Sequence, residues 1–268
     1  MKSSSVLNRI IIGTLLGLAI AITTFGPPFL LLIFIAVWLT VATVELLKIL
    51  RLKAIQLNPY ITVGSNLFLF LAVLLKIPKG FYLLPIFLII LAGLLAKMNR
   101  SSIITYGIFT YFYLGFLPAH FLMLKQLSIT VNFSTWLVLF PLFLTWINDT
   151  GGLLGGKLFG KTKLAPDISP NKTIEGFASG VFLAAIFAYL YLKHFMANQP
   201  FIQLFLLGLI MGSLAQVGDL VESVFKREAG LKDSSNLLFA HGGFLDRIDS
   251  LLFTIPVFYY YLKHIINS

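Results

Sequence analysis

Residues 218–250 read GDLVESVFKREAGLKDSSNLLFAHGGFLDRIDS and hold the densest set of groups in the chain that could do chemistry. If residues 219–229 are helical, Asp219, Glu222, Ser223 and Lys226 share one face, with Arg227 at its margin. Asp246 and Asp249 are spaced to share a face of the helix that follows. Between these groups lie Lys232, Asp233 and the triplet His241-Gly242-Gly243. Carboxylates at two helix ends, with lysines and an arginine beside them, suit phosphate chemistry. Hard oxygen ligands hold Mg²⁺, and cations neutralise phosphate oxygens. Mg²⁺ usually takes one or two protein carboxylates and fills its shell with water and phosphate. Asp219 with Asp246 would meet that need if their helices are adjacent. The alternative is a solvated loop with internal pairs such as Glu222 and Lys226.

A second polar stretch, residues 148–176, reads NDTGGLLGGKLFGKTKLAPDISPNKTIEG. Gly151, Gly152, Gly155, Gly156 and Gly160 permit close backbone approach, and Lys157, Lys161 and Lys163 follow. Ser169-Pro170-Asn171-Lys172-Thr173 then precedes a helix with Glu175 in its first turn. A glycine and lysine loop entering a helix N-terminus is a plausible anion cradle. It is not a Walker A loop, because GxxxxGK[ST] is absent. The other reading is a flexible loop whose lysines face anionic lipid. Asp149 ends an apolar run, where a carboxylate near the bilayer is costly.

The elements that must position these groups are membrane helices. Of 268 residues, 58% are hydrophobic and 11% charged, against about 25% charged in an ordinary soluble domain. Mean hydropathy is +0.93. Disorder, collagen and a soluble multidomain enzyme are excluded, leaving an all-α, polytopic integral membrane protein. Nine spans are expected, near residues 10–25, 29–47, 57–75, 80–96, 101–124, 133–148, 176–194, 200–218 and 248–266. The absence of cysteine excludes disulfides and thiolate chemistry.

Charge divides the chain. Residues 1–147 carry ten basic side chains against Glu45 alone, whereas nine of the ten acids lie between Asp149 and Asp249. Residues 1–147 therefore read as a transmembrane scaffold and 148–268 as a transmembrane catalytic region with polar segments. With the N-terminus inside, nine spans place fifteen basic residues on the cytoplasmic side and five outside. Both polar segments then face the cytoplasm. The net charge of +10 belongs to helix flanks rather than to a nucleic-acid surface, since no Arg-rich run occurs.

Ser223-x-x-Lys226-Arg227, Lys232-Asp233 and His241-Gly242-Gly243-x-x-Asp246-Arg247-x-Asp249 together resemble the signature of the phosphatidate cytidylyltransferase family, or CDP-diacylglycerol synthases. Asp149-Thr150, Gly160-Lys161, Ser169-Pro170, Lys172-Thr173 and Glu175-Gly176 are similar to the family as well. Phe239-Ala240 and Gly152-Leu153 depart from its common pattern, which bears on loop shape and substrate fit.

The resemblance implies a homodimeric inner-membrane enzyme of phospholipid biosynthesis that condenses CTP with phosphatidic acid, using Mg²⁺, with a monovalent cation such as K⁺ as an aid. Under it, Asp219 and Asp246 hold the metal, with Asp249 as a further ligand or support. Lys226, Arg227 and Arg247 hold phosphates, and Lys172 with Ser169, Thr173 and Ser223 binds triphosphate or lipid phosphate. Asp149 and Lys232 join the candidate set, and His241 stabilises leaving pyrophosphate or shapes the loop. Rival readings are a related enzyme on another lipid, of the CDP-archaeol synthase or polyprenol kinase type, and a membrane transporter. The CDP-alcohol phosphotransferase pattern is missing.

Overall fold

A computed structural model describes the chain apart from Met1, Asn236, residues 239–241 and Ser268, and apart from the side chains of residues 2–12, Pro28 and Asn267. It is all-α, about 79% helical. Two compact units divide the chain, residues 1–123 with 225–248, and residues 124–224 with 249–268. Among the described residues, five helices are long and apolar enough to cross a membrane, against about nine expected, and three further apolar helices are shorter.

The first unit begins with α1 (Lys2–Phe25) and α2 (Pro28–Leu52). The break between them falls at Gly26-Pro27, and Pro28 opens α2, where a missing N–H costs nothing. Next come α3 (Pro59–Leu74), α4 (Leu84–Leu95) and α5 (Arg100–Tyr111). Asn58 caps α3 by accepting the N–H groups of Tyr60 and Ile61 at 2.9 and 3.2 Å. A single π turn, Phe112–Phe116, carries α5 into α6 (Leu117–Thr130). Leu31, Ile35 and Leu39 of α2 pack with Leu69, Phe70 and Val73 of α3 in the core of this unit. One polar tie crosses the same pair, Asn66 donating to the Thr43 hydroxyl at 3.1 Å. At the end of α2, the Lys53 ammonium meets the Glu228 carboxylate and lies over the Tyr106 and Phe225 rings at 5.3 and 5.7 Å. Burial opposes its charge, but the Glu228 carboxylate and the Tyr106 hydroxyl outweigh burial and hold its pKa above the usual lysine value.

The second unit contains α7 (Thr135–Phe159), a two-stranded hairpin, α8 (Ile174–Phe195), most of α9 (Phe201–Glu228) and α10 (Asp249–Asn267). The hairpin strands, β1 (Lys163–Ala165) and β2 (Ser169–Thr173), are antiparallel with Lys163 opposite Thr173. The all-α expectation did not include it. The glycines from Gly151 to Gly156 were read as loop, yet they lie in the last turns of α7. Their purpose is packing. A Cβ on Gly176 would stand 2.7 Å from the Gly152 oxygen and 3.1 Å from the Gly156 Cα. One on Gly180 would stand 2.6 Å from the Asn148 oxygen. Positions rising along α8 meet positions falling along α7, so the helices run antiparallel with their backbones nearly touching. This is the small-xxx-small packing that membrane helices use in place of a hydrophobic drive.

Candidate functional site

The predicted residues fall into two groups, one in each unit. In the second unit, Thr173 closes β2 and caps α8, its Oγ1 accepting the Gly176 N–H at 3.1 Å. The Glu175 carboxylate accepts the N–H groups of Lys161 and Thr162 at 3.0 and 3.2 Å, fixing the base of the hairpin to the helix start. Thus Ser169, Lys172 and Thr173 are carried by one short strand. The Lys172 ammonium reaches Asp219 Oδ2 of α9 at 2.7 Å, and the Ser223 hydroxyl lies 3.3 Å from Asp219 Oδ1, one turn along. Both partners of this pair are partly exposed, at 21% and 34% of their side-chain surfaces. The exposed part of Lys172 is its stem, whereas its Nζ is buried against Asp219, so the carboxylate is the side of the pair open to solvent. Asp149 is exposed on α7, and Asp249 is buried at the start of α10, its Oδ1 accepting the Ser250 N–H at 2.6 Å.

In the first unit the centre is Asp246, on a short 3₁₀ turn, Leu245–Arg247. Its Oδ1 takes the Lys226 ammonium at 2.5 Å. Its Oδ2 accepts the Ser234 N–H at 3.0 Å, the Ser234 hydroxyl at 2.8 Å and the Gly243 N–H at 2.7 Å. The pair is 9% and 7% exposed, so each charge depends on the other. Gly242 has φ +75°, and a Cβ there would lie 2.7 Å from Asp246 Oδ2, which explains why no larger residue fits. Arg227, Lys232 and Arg247 are exposed around this turn, Arg227 donating to the Leu231 oxygen at 2.8 Å. His241 lies outside the described residues, as do Phe239 and Ala240.

The sequence reading assigned Glu45 no role. It is wholly buried in α2, and both oxygens accept bonds from the segment that carries Asp246. Its one sequence signal was its isolation as the only acid before Asp149 inside an apolar helix, where ionisable residues are expensive.

For a divalent cation the donors are carboxylate oxygens, the right chemistry for Mg²⁺. Asp219 keeps oxygen lone pairs beyond its two contacts, so it fits such an ion. Asp246 has at least four donors on its two oxygens, so it would reach a metal only by releasing one of them. Among the described residues no three His, Asp or Glu side chains gather as a metal-holding group.

Cation–carboxylate pairs on a strand, a long helix and a glycine-bounded turn are set here in a protein of membrane-type helices. The family follows from the sequence match. The Cytidylyltransferase family model matches residues 7–265, and the chain belongs to that family. It is similar to a phosphatidate cytidylyltransferase of Bacillus subtilis (strain 168), 39% identical over 150 residues, 56% of this chain and 55% of that protein. Another, from Staphylococcus aureus (strain COL), is 49% identical over 124 residues, 45% of this chain and 46% of that one. A third relative, Uncharacterized protein YnbB of Escherichia coli (strain K12), is 37% identical over 246 residues, 85% of this chain and 80% of its own length. The chain thus spans about half the length of the first two relatives in the matched region.

Proposed function

We propose that the protein is a CTP:phosphatidate cytidylyltransferase, joining CTP and phosphatidic acid into CDP-diacylglycerol and pyrophosphate for phospholipid synthesis. The observation that carries this reading is the buried Lys226–Asp246 pair, held in a turn whose charged residues are those of the family signature. Residues 1–147 serve as scaffold and 148–268 carry most of the polar chemistry. The proposed setting is a homodimer in the inner membrane, with nine spans, the N-terminus inside and the site open to the cytoplasm, where CTP is found. The distribution of basic residues supports that orientation.

The lipid phosphate oxygen attacks the α-phosphorus of CTP. A new P–O bond forms, the α–β bridging P–O bond breaks, and pyrophosphate leaves with that electron pair. The nucleophile is already anionic, so no strong general base is needed. Repulsion between two polyanions is the barrier, and positioned cations lower it. Lys226, Arg227 and Arg247 are assigned to phosphate oxygens, with Lys232 at the rim. Lys172, with Ser169, Thr173 and Ser223, is assigned to triphosphate or lipid phosphate. Asp246 aims Lys226, and Asp219 aims Lys172. Mg²⁺ is assigned to Asp219 and Asp246, with Asp249 in support, and Asp149 to substrate binding; when bound, the ion would neutralise phosphate charge. K⁺ is a further proposed aid, and His241 is assigned to the leaving group or to loop shape.

The test is purified protein with labelled CTP and phosphatidic acid, with and without Mg²⁺. Labelled CDP-diacylglycerol is expected only with the metal. No liponucleotide under either condition would defeat the reading. A second measurement concerns Lys172→Met. Because the Lys172–Asp219 pair is partly exposed, its loss should cost less than about 1 kcal/mol of stability. The KM for CTP or for phosphatidic acid should nevertheless rise about tenfold. Both KM values staying at the wild-type level would remove Lys172 from the phosphate site.

A further inference from the structure

We propose that Glu45 is a positioning residue, reaching from the membrane scaffold to hold the turn that carries Asp246. The proposal rests on the cytidylyltransferase reading above. Glu45 Oε1 accepts the Ser235 hydroxyl at 2.5 Å and the Phe244 N–H at 3.1 Å. Its Oε2 accepts the Leu245 N–H at 2.8 Å and lies 3.2 Å from the Ser234 hydroxyl oxygen. One carboxylate therefore grips the segment on both sides of His241-Gly242-Gly243. Two α-helical turns earlier on α2, Trp38 donates its indole N–H to the Phe244 oxygen at 3.0 Å. The Trp38 and Phe244 rings meet edge to face, 4.8 Å between centroids.

The grip passes directly to the proposed reacting groups. Ser234 Oγ stands between two carboxylates, 2.8 Å from Asp246 and 3.2 Å from Glu45. It has a single proton, so it donates to one at a time and its position depends on both. Glu45 also accepts the N–H groups that enter the Leu245–Arg247 turn, and so sets where that turn starts. Gly243 fits the same account. A Cβ there would fall 2.0 Å from Ser234 Oγ and 2.6 and 2.8 Å from the Glu45 oxygens. The backbone has to pass flat against the carboxylate. A carboxylate placed roughly 10 Å inside the end of a membrane helix is costly, and four donors from one segment offset that cost. A residue filling only space would need none of them.

Four variants test this in purified protein: Glu45→Gln, Glu45→Asp, Ser234→Ala and the double variant Glu45→Gln with Ser234→Ala. The amide of Glu45→Gln keeps the volume but turns an NH₂ toward donors that need an acceptor. We expect kcat/KM for CTP to fall about 100-fold, the range seen when groups that orient reacting residues are lost. Glu45→Asp should recover part of it by keeping the charge. Adding Ser234→Ala to Glu45→Gln should cost little more, because both break one chain of contacts. A readout independent of turnover is trypsin cleavage after Lys232 and Arg247, which flank the gripped segment. It should speed up at least tenfold in Glu45→Gln. If that variant does not fold, Trp38→Phe and Ser235→Ala each remove one bond of the same grip. Each should then lower kcat/KM about five- to tenfold at an unchanged thermal midpoint. With an active wild type, Glu45→Gln within threefold of normal kcat/KM, unchanged trypsin cleavage, or a fully additive double variant would overturn the inference. An inactive wild type would instead overturn the cytidylyltransferase reading on which it rests.

Discussion

Asp246→Asn is expected to lower cytidylyl transfer by about 1000-fold or more while the protein still inserts in the membrane. The geometry sets the size of the effect. Asp246 offers acceptors to Lys226, to both donors of Ser234 and to the Gly243 N–H. Asparagine removes the charge and replaces one acceptor oxygen with a donor. With the amide nitrogen toward Oδ2, it faces three donors; the other way round, it faces an ammonium. Breaking a buried pair from one side costs about 3–5 kcal/mol, because the remaining charge is uncompensated. That cost falls on stability; the expected thousandfold loss of rate corresponds to about 4 kcal/mol of transition-state stabilisation, at 1.36 kcal/mol per factor of ten. Loss of the proposed metal oxygen adds to it. None of the long apolar helices is altered, so the protein should still insert and be extracted, with a lower thermal midpoint from the broken pair. The assay is labelled CTP turnover on the folded fraction. Turnover within tenfold of wild type would refute both the Lys226 role and the metal role of Asp246.

The charged half of this arrangement was legible because its residues are close in sequence. Asp219, Ser223 and Lys226 repeat at the spacing of one helix, and α9 does run unbroken from Phe201 to Glu228. Lys226 and Asp246 are 20 positions apart, and the sequence reading did not pair them, offering Glu222 for Lys226 and a metal for Asp246. Glu45 was not legible in the same way. Its partners Ser234 and Leu245 are 189 and 200 residues away, and no local period links them. Its isolation pointed to a function without naming a partner.

The glycines misled for a different reason. A helix interior disfavours Gly by about 1 kcal/mol relative to Ala, so four of them within six residues read as loop. That penalty is local. The compensation lies in α8, where Gly176 and Gly180 let two backbones close to contact distance. Lysines after Phe159 marked the real loop, and the hairpin there is pinned by Glu175, which the sequence had placed correctly in the first turn of α8. The count of spans depends on the same local signals. Apolar composition reports which residues avoid water, but Pro59, Pro78 and Pro85 cut the third and fourth stretches into helices of 16 and 12 residues.

Gly180→Val gives the second large effect, on folding rather than chemistry. Its Cβ would meet the Asn148 backbone oxygen at 2.6 Å, with the Gln216 amide nitrogen at 3.0 Å and the Asn148 side-chain oxygen at 3.1 Å. A backbone oxygen inside a helix cannot swing aside, so α7 and α8 must separate. Overpacking of this kind costs about 3 kcal/mol, and the two methyl groups of valine enlarge the clash. A thermal midpoint lower by about 6–12 °C follows at the usual conversion for a protein of this size. Gly64→Ala is the control: it lies within α3 with nothing within 4 Å of its would-be Cβ, so added helix propensity should leave the midpoint level or higher. Thermal unfolding of both variants in one detergent decides the matter, and equal midpoints would refute close α7–α8 packing. The consequence reaches the proposed chemistry, because α8 begins directly after Lys172 and Thr173. A helix displaced from α7 would carry the Lys172 ammonium away from Asp219. Activity in Gly180→Val should therefore be lost well below the temperature at which the wild type unfolds.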